Sequence, residues 1–301
     1  MRSPYKNKNS QLIQIYFAFV ALVYTNISYS EIRPQKTSRL VSTAGTGVGS
    51  VLLEEAAVLN PASMAFFKSS AIYYQQSKLD DSTSNDRVAD SFSVIVADAK
   101  GAMKGTAGYH KNTIGTDEEE RISLTAASAG GKASSVGINV SQYKVTVDNG
   151  IVREETKYRT MDIGVTHIVS PELSLGIIIQ DPTKSDNTRT DLGLVGFQYQ
   201  LHDYISLMGD LGTAYRGTNI NERYLYRGAI QLTFLSDFFI RGGISRDLTN
   251  GEERITGLGL SWVQPRLTFD FAFEDIESSP QGSTEAARNF RQGALSMSYR
   301  F

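Results

Sequence analysis

His110, His167 and His202 are the only imidazoles among 301 residues, and the chain has no cysteine. Thiol nucleophiles, thiolate zinc sites, disulfide scaffolds and lipidated cysteines are therefore excluded. Three widely spaced histidines also leave little from which to build an imidazole metal cage. His110 alone has acids within reach, since Glu118–Glu120 lie across one connection and could approach it as acid–base partners. His167 has the parity of an outward-facing residue near a strand end, and His202 sits in a tight turn, so both read as surface or interfacial. Asp270 and Glu274 share a face, but four residues along a strand separate them by about 13 Å, too far for a carboxylate pair. The run Gly45-x-Gly47-x-Gly49 resembles the start of a dinucleotide fingerprint. Ser50 breaks it, however, and no βαβ unit comes after it. Small residues that let a chain pass close to a wall account for it better. The sequence thus assigns no catalytic residue, no cofactor and no metal.

The N-terminus has the form of a secretory signal over residues 1–30. Arg2, Lys6 and Lys8 precede an apolar stretch from Leu12 to Val23, and Ser28-Tyr29-Ser30 places small residues at a cleavage site. The apolar stretch is too short to span a bilayer as a helix. Removing the three basic residues leaves 27 basic against 32 acidic side chains, a net charge of −5. No basic patch interleaved with aromatics stands out, so nucleic acid is not an expected partner. A mean hydropathy of −0.23 argues against a bundle of transmembrane helices but not against a membrane β-barrel, whose strands are only half apolar.

From about Lys68 onward apolar residues recur with period two. Leu267, Phe269, Phe271 and Phe273 alternate with Thr268, Asp270, Ala272 and Glu274, and the end of the chain repeats the pattern at Leu295, Met297, Tyr299 and Phe301. The alternation predicts fourteen strands at 69–78, 90–98, 103–112, 121–129, 134–144, 157–169, 172–181, 189–201, 204–215, 223–234, 238–248, 254–263, 266–275 and 289–301. A soluble sandwich would also alternate, but no helix is expected after residue 67 to cover the apolar faces. The opposite faces place Asp162, Asp210, Arg223, Arg227, Arg241, Asp270 and Glu274 at mid-strand, which suits a lumen. Tyr215, Tyr224, Phe234, Trp262 and Tyr299 lie toward strand ends, as in an interfacial aromatic girdle. Short turns alternate with longer polar connections, among them 112–120, 148–155, 182–187, 216–222 and 277–287. All seven prolines fall outside the proposed strands. The expected fold is all-β: a 14-stranded antiparallel transmembrane β-barrel over residues 68–301. Two features interrupt the pattern. Apolar phase slips between Leu192/Leu194 and Phe197/Tyr199, which predicts a bulge near Val195-Gly196. The third strand, with Gly105 and Gly108, is poor in bulk and could kink or leave a defect in the wall.

Residues 31–67 differ in kind from the strands after them. The small-residue stretch with Gly45, Gly47 and Gly49, a short Leu/Val/Glu/Ala segment, and Asn60-Pro61-Ala62 directly before the first strand resemble the N-terminal hatch of FadL-family outer-membrane proteins, short PorV-like members included. Leu295, Met297, Tyr299 and Phe301 resemble the terminal signal read by the barrel-insertion machinery. The resemblance implies a monomeric barrel in the outer membrane of a Gram-negative bacterium, surrounded by lipid and plugged by the hatch, with passive uptake of small hydrophobic, fatty-acid-like or aromatic, molecules. It further implies an inward kink in the third strand at Gly105 and Gly108 that opens the wall sideways. The external loops here are short and acidic, which points away from long-chain fatty acids. A PorV-like accessory role, docking a secretion or surface-anchoring partner, is the alternative, and a hydrophilic porin is opposed by the hatch.

Overall fold

A computed structural model describes residues 35–101, 103–148, 152–183, 192–214, 224–248, 251–280 and 288–301. The expected signal segment, Tyr215, Arg223 and most of the longer connections lie outside these residues.

Fourteen antiparallel strands form one closed barrel in which every strand pairs with its sequence neighbour and the first pairs with the last. They are β1 (Ala71–Asp81), β2 (Arg87–Asp98), β3 (Lys104–Ile114), β4 (Asp117–Ala129), β5 (Ser134–Asp148), β6 (Arg153–Ile168) and β7 (Leu173–Gln180). The circuit continues with β8 (Leu192–His202), β9 (Ile205–Ala214), β10 (Tyr224–Phe234), β11 (Phe238–Asp247), β12 (Gly251–Val263), β13 (Leu267–Pro280) and β14 (Arg288–Arg300). Closure leaves no free sheet edge, the condition under which strands can stand in hydrocarbon. The seam runs from Ala71↔Arg300 to Asp81↔Phe290, and Ser70 and Phe301 extend it by exchanging backbone hydrogen bonds.

The period-two pattern sets what faces out. Phe269, Phe271 and Phe273 project outward, while Ala272 and Glu274, of the opposite parity, are buried inside. Equivalent residues on the other strands complete an apolar belt around the barrel. No helix among the described residues is long and apolar enough to cross a membrane. Leu295, Met297, Tyr299 and Phe301 all lie on this outer surface.

Strands extend further at the loop end of the barrel than alternation predicts. The connection expected over 112–120 is a tight turn at Gly115-Thr116, with Gly115 at φ 59°, a left-handed conformation that glycine adopts without strain. The acidic run belongs to β4. There Glu118 pairs with Lys111 at 2.8 Å, and Lys144 of β5 reaches Glu120 at 3.8 Å and Glu155 of β6 at 3.3 Å. Cross-strand ion pairs let charged residues continue a ladder that composition alone assigns to a loop.

The bulge expected at Val195-Gly196 is absent. β8 keeps register with β7 and β9 through that point, and its only shift falls at Gln200/His202. Leu194 faces inward and is buried with Leu40, Val48 and Leu59 of the N-terminal segment, so the apparent slip reflects an inner face that is locally apolar.

Candidate functional site

Residues 36–67 occupy the lumen, and their local structure stems from small and polar residue types. Thr37 caps the short helix α1 (Ser38–Ser42), its hydroxyl accepting the Leu40 N–H. Ser42 and Thr43 donate their hydroxyls to the Arg39 carbonyl. Ala44 and Gly45, at φ 52° and 82°, then end the helix, and the Gly45 N–H bonds back to the Leu40 carbonyl. A 3-10 turn at Glu54–Ala57 comes next. Asn60 caps a second 3-10 turn at Pro61–Phe66, with proline at the first position, where its missing N–H costs nothing. Of the expected 31–67 segment, 31–34 fall outside the described residues.

Side chains of the wall hold this segment largely by its backbone. The Asp210 carboxylate of β9 accepts the Gly47 N–H at 2.8 Å and the Val48 N–H at 3.1 Å. The glycine-rich run thus holds an anion after all, the protein's own, in the manner of a backbone nest. Arg227 of β10 donates to the Gly45 carbonyl at 3.0 Å. Ser174 of β7 donates to the Gly49 carbonyl, Ser135 of β5 to Ala62, and Lys104 of β3 to Ala65 and Phe67. Asn60 works in the reverse direction, its amide reaching the Val48 carbonyl at 2.8 Å and the Thr166 hydroxyl of β6 at 3.1 Å. Lys36 meets the buried Glu274 of β13 at 2.9 Å. Hydrogen bonds to charged groups each contribute about 1.5–3 kcal/mol when buried.

Sequence reasoning missed the surface that lets the segment come so close. Three pairs of directly opposed glycines, Gly137↔Gly164, Gly176↔Gly196 and Gly243↔Gly257, present bare backbone to the lumen. A β-carbon at Gly137 would lie 2.4 Å from the Pro61 carbonyl carbon. At Gly176 it would lie 2.0 Å from the Val48 oxygen, and at Gly243 2.3 Å from the Thr43 carbonyl carbon. Side chains cannot occupy those positions while the hatch is seated. The detectable signal was the lumen-side parity of glycines on neighbouring strands, which required the register.

The other expected site residues take several positions. Arg241 and Asp270 pair at 3.2 Å and share Ser261, whereas Asp162 accepts from Asn139 and from the Asp181 N–H. No register shift marks β3 at Gly105 and Gly108, where a kink was expected. β3 is paired residue for residue with both β2 and β4, without a register shift, so the wall is closed there. Loss of bulk does not break a ladder whose backbone bonds are all made. The space above Gly108 is taken by the Ser123 hydroxyl. His110 faces Arg121 directly across the β3–β4 pair, while Glu118 engages Lys111 on the other side of the wall. His167 of β6 bonds Ser134 of β5 across the ladder near its end, and His202 stacks on Tyr204.

No protein-family model matches the chain. No curated protein matches it in sequence. Its fold is nonetheless shared. The chain is similar to the CymD monoaromatic hydrocarbon channel, with a TM-score of 0.69 at 12% identity over 91% of this chain and 99% of that one. It is similar to the toluene transporter TodX of P. putida, at 0.67 and 9% identity over 89% and 99% of the two chains. It is also similar to the toluene transporter TbuX of Ralstonia pickettii, at 0.64 and 12% identity over 89% and 99%.

Proposed function

We propose that this chain is a FadL-like channel of the Gram-negative outer membrane for passive uptake of small hydrophobic molecules, monoaromatic hydrocarbons being the first class to test. The observation that carries this reading is a lumen filled by a segment whose contact with β7, β8 and β10 is made through apolar side chains. Leu40, Val48 and Leu59 of the hatch meet Ile178, Leu194 and Leu225 of β7, β8 and β10 in a continuous apolar seam. A small shift of the hatch along that seam would let an apolar solute pass without meeting a bare charge, whose desolvation would cost several kcal/mol. The fold shared with CymD, TodX and TbuX, described as hydrocarbon channels or toluene transporters, supports the same solute class. Because the wall is closed at β3, passage runs beside the hatch.

The test is toluene uptake by cells expressing the chain, compared with cells expressing Leu194→Asp, which places a charge in the seam. The parent should import faster than vector-only cells, and Leu194→Asp should fall to the vector rate while remaining a folded barrel. Equal rates in all three would refute the channel. Native mass spectrometry of protein extracted from its own membrane separates this role from partner docking: a bound small apolar mass favours uptake, a stoichiometric polypeptide favours docking.

A further inference from the structure

At the turn end of the barrel, beside α1, lies a cavity of about 200 Å³. We propose that it binds a small carboxylate carrying an apolar body, such as a one-ring aromatic acid. This proposal does not rest on the channel reading.

Its lining is built from buried groups with donors to spare. Arg39, 8% exposed, points one amine at Glu55 at a long 3.3 Å and another at the Met208 sulfur at 3.3 Å, a weak acceptor. Its Nε has no partner. Thr268, 7% exposed, lines the same cavity with an unpartnered hydroxyl. Buried guanidinium and hydroxyl groups are rarely left so, because each missing partner costs free energy. Two of the lining's arginines are also only loosely paired, Arg39 with Glu55 at 3.3 Å and Arg300 with Glu54 at 4.0 Å. Three arginines (Arg39, Arg241 and Arg300) and three acids (Glu54, Glu55 and Asp270) line the cavity. Burial, reinforced by the adjacent Glu55, holds the Glu54 carboxyl above the usual carboxylate range, and Arg300 approaches it only to 4.0 Å. A carboxylate presents two acceptor oxygens to the forked guanidinium, which a neutral hydrocarbon or a cation cannot do. Leu52, Phe239 and Val263 supply the apolar part of the lining. The volume is below the ~300–1,000 Å³ typical of sites for drug-sized molecules, so one ring or a short chain is the fitting size.

The experiment is calorimetric titration of the full chain in detergent with benzoate, benzyl alcohol and inorganic phosphate, repeated on Arg39→Gln and Thr268→Val. Resistance to SDS unfolding serves as the check on barrel closure. Benzoate should bind and benzyl alcohol should not. Arg39→Gln should weaken benzoate about 10- to 100-fold, as expected for loss of a hydrogen bond to a charged group. Thr268→Val, nearly the same shape and outside the hatch, should weaken it by roughly 2- to 10-fold and decides the matter if Arg39→Gln fails to fold. Benzoate binding no tighter than benzyl alcohol, benzoate affinity unchanged in the folded variants, or phosphate binding as tight as benzoate would each overturn the assignment.

Discussion

Asp210 satisfies two backbone N–H groups of the hatch with one carboxylate, so the charge is its contribution. Asp210→Asn keeps the shape and one acceptor oxygen but gives up the charge and one of the bonds. Local opening of residues 43–50 should become easier by about 2 kcal/mol, the loss of one charge-assisted bond. Hydrogen exchange mass spectrometry would show faster exchange there and no change in the wall strands. Glu54 makes the opposite kind of contribution. Its carboxyl is raised in the folded state, mainly by burial. The hatch is therefore most stable below the unfolded carboxylate pKa and loses stability as pH rises through the raised folded value, because the unfolded chain releases the proton first. Hatch protection factors, corrected for the intrinsic pH dependence of exchange, should then be lower at pH 8 than at pH 5, and Glu54→Gln should flatten that difference. A pH dependence retained in Glu54→Gln would place its origin in another group.

At the level of strands, the glycine pairs decide how closely wall and hatch approach. Gly176→Ala should strain the seated hatch by about 1–3 kcal/mol, the usual cost of overpacking, because its β-carbon would meet the Val48 carbonyl. Gly228→Ala, with nothing within 4 Å, serves as the matched control. Single-channel recording should show more frequent or larger openings for Gly176→Ala and parent-like behaviour for Gly228→Ala. These strands show what alternation can reveal and where it fails. It located all fourteen, with the outward Phe269–Phe271–Phe273 row as its clearest case, because lipid demands apolar residues on every second position. It failed at Leu192 and Leu194, because the hatch makes part of the lumen apolar too and removes the contrast that period two depends on. It assigned Glu118–Glu120 to a loop because their partners, Lys111 and Lys144, are cross-strand neighbours visible only once register is known. The pins at Asp210 and Arg227 were legible as inward polar residues. That they clasp backbone, at Gly47 and Gly45, was not, since a peptide group carries no mark in the sequence.

For the molecule as a whole, the decisive contacts join distant parts of the chain: Lys36 meets Glu274, 238 residues away, and β1 meets β14. Folds dominated by such pairings form slowly and expose apolar edges until they are complete. Deleting residues 295–301 should therefore leave an unclosed, protease-sensitive species in place of a slightly destabilised barrel, and SDS-resistance assays would detect its loss of closure directly. Because the hatch precedes β1 and the wall closes only when β14 meets β1, the stopper is made before the bottle. The wall must be wrapped around residues 36–67 as it assembles, since glycine pairs on opposite arcs, 137/164 and 243/257, grip the hatch from both sides. A hatch peptide supplied to a finished, hatchless barrel should consequently fail to restore the parent's conductance. Covalent order along the chain, beyond the presence of the parts, is then a requirement for the native arrangement.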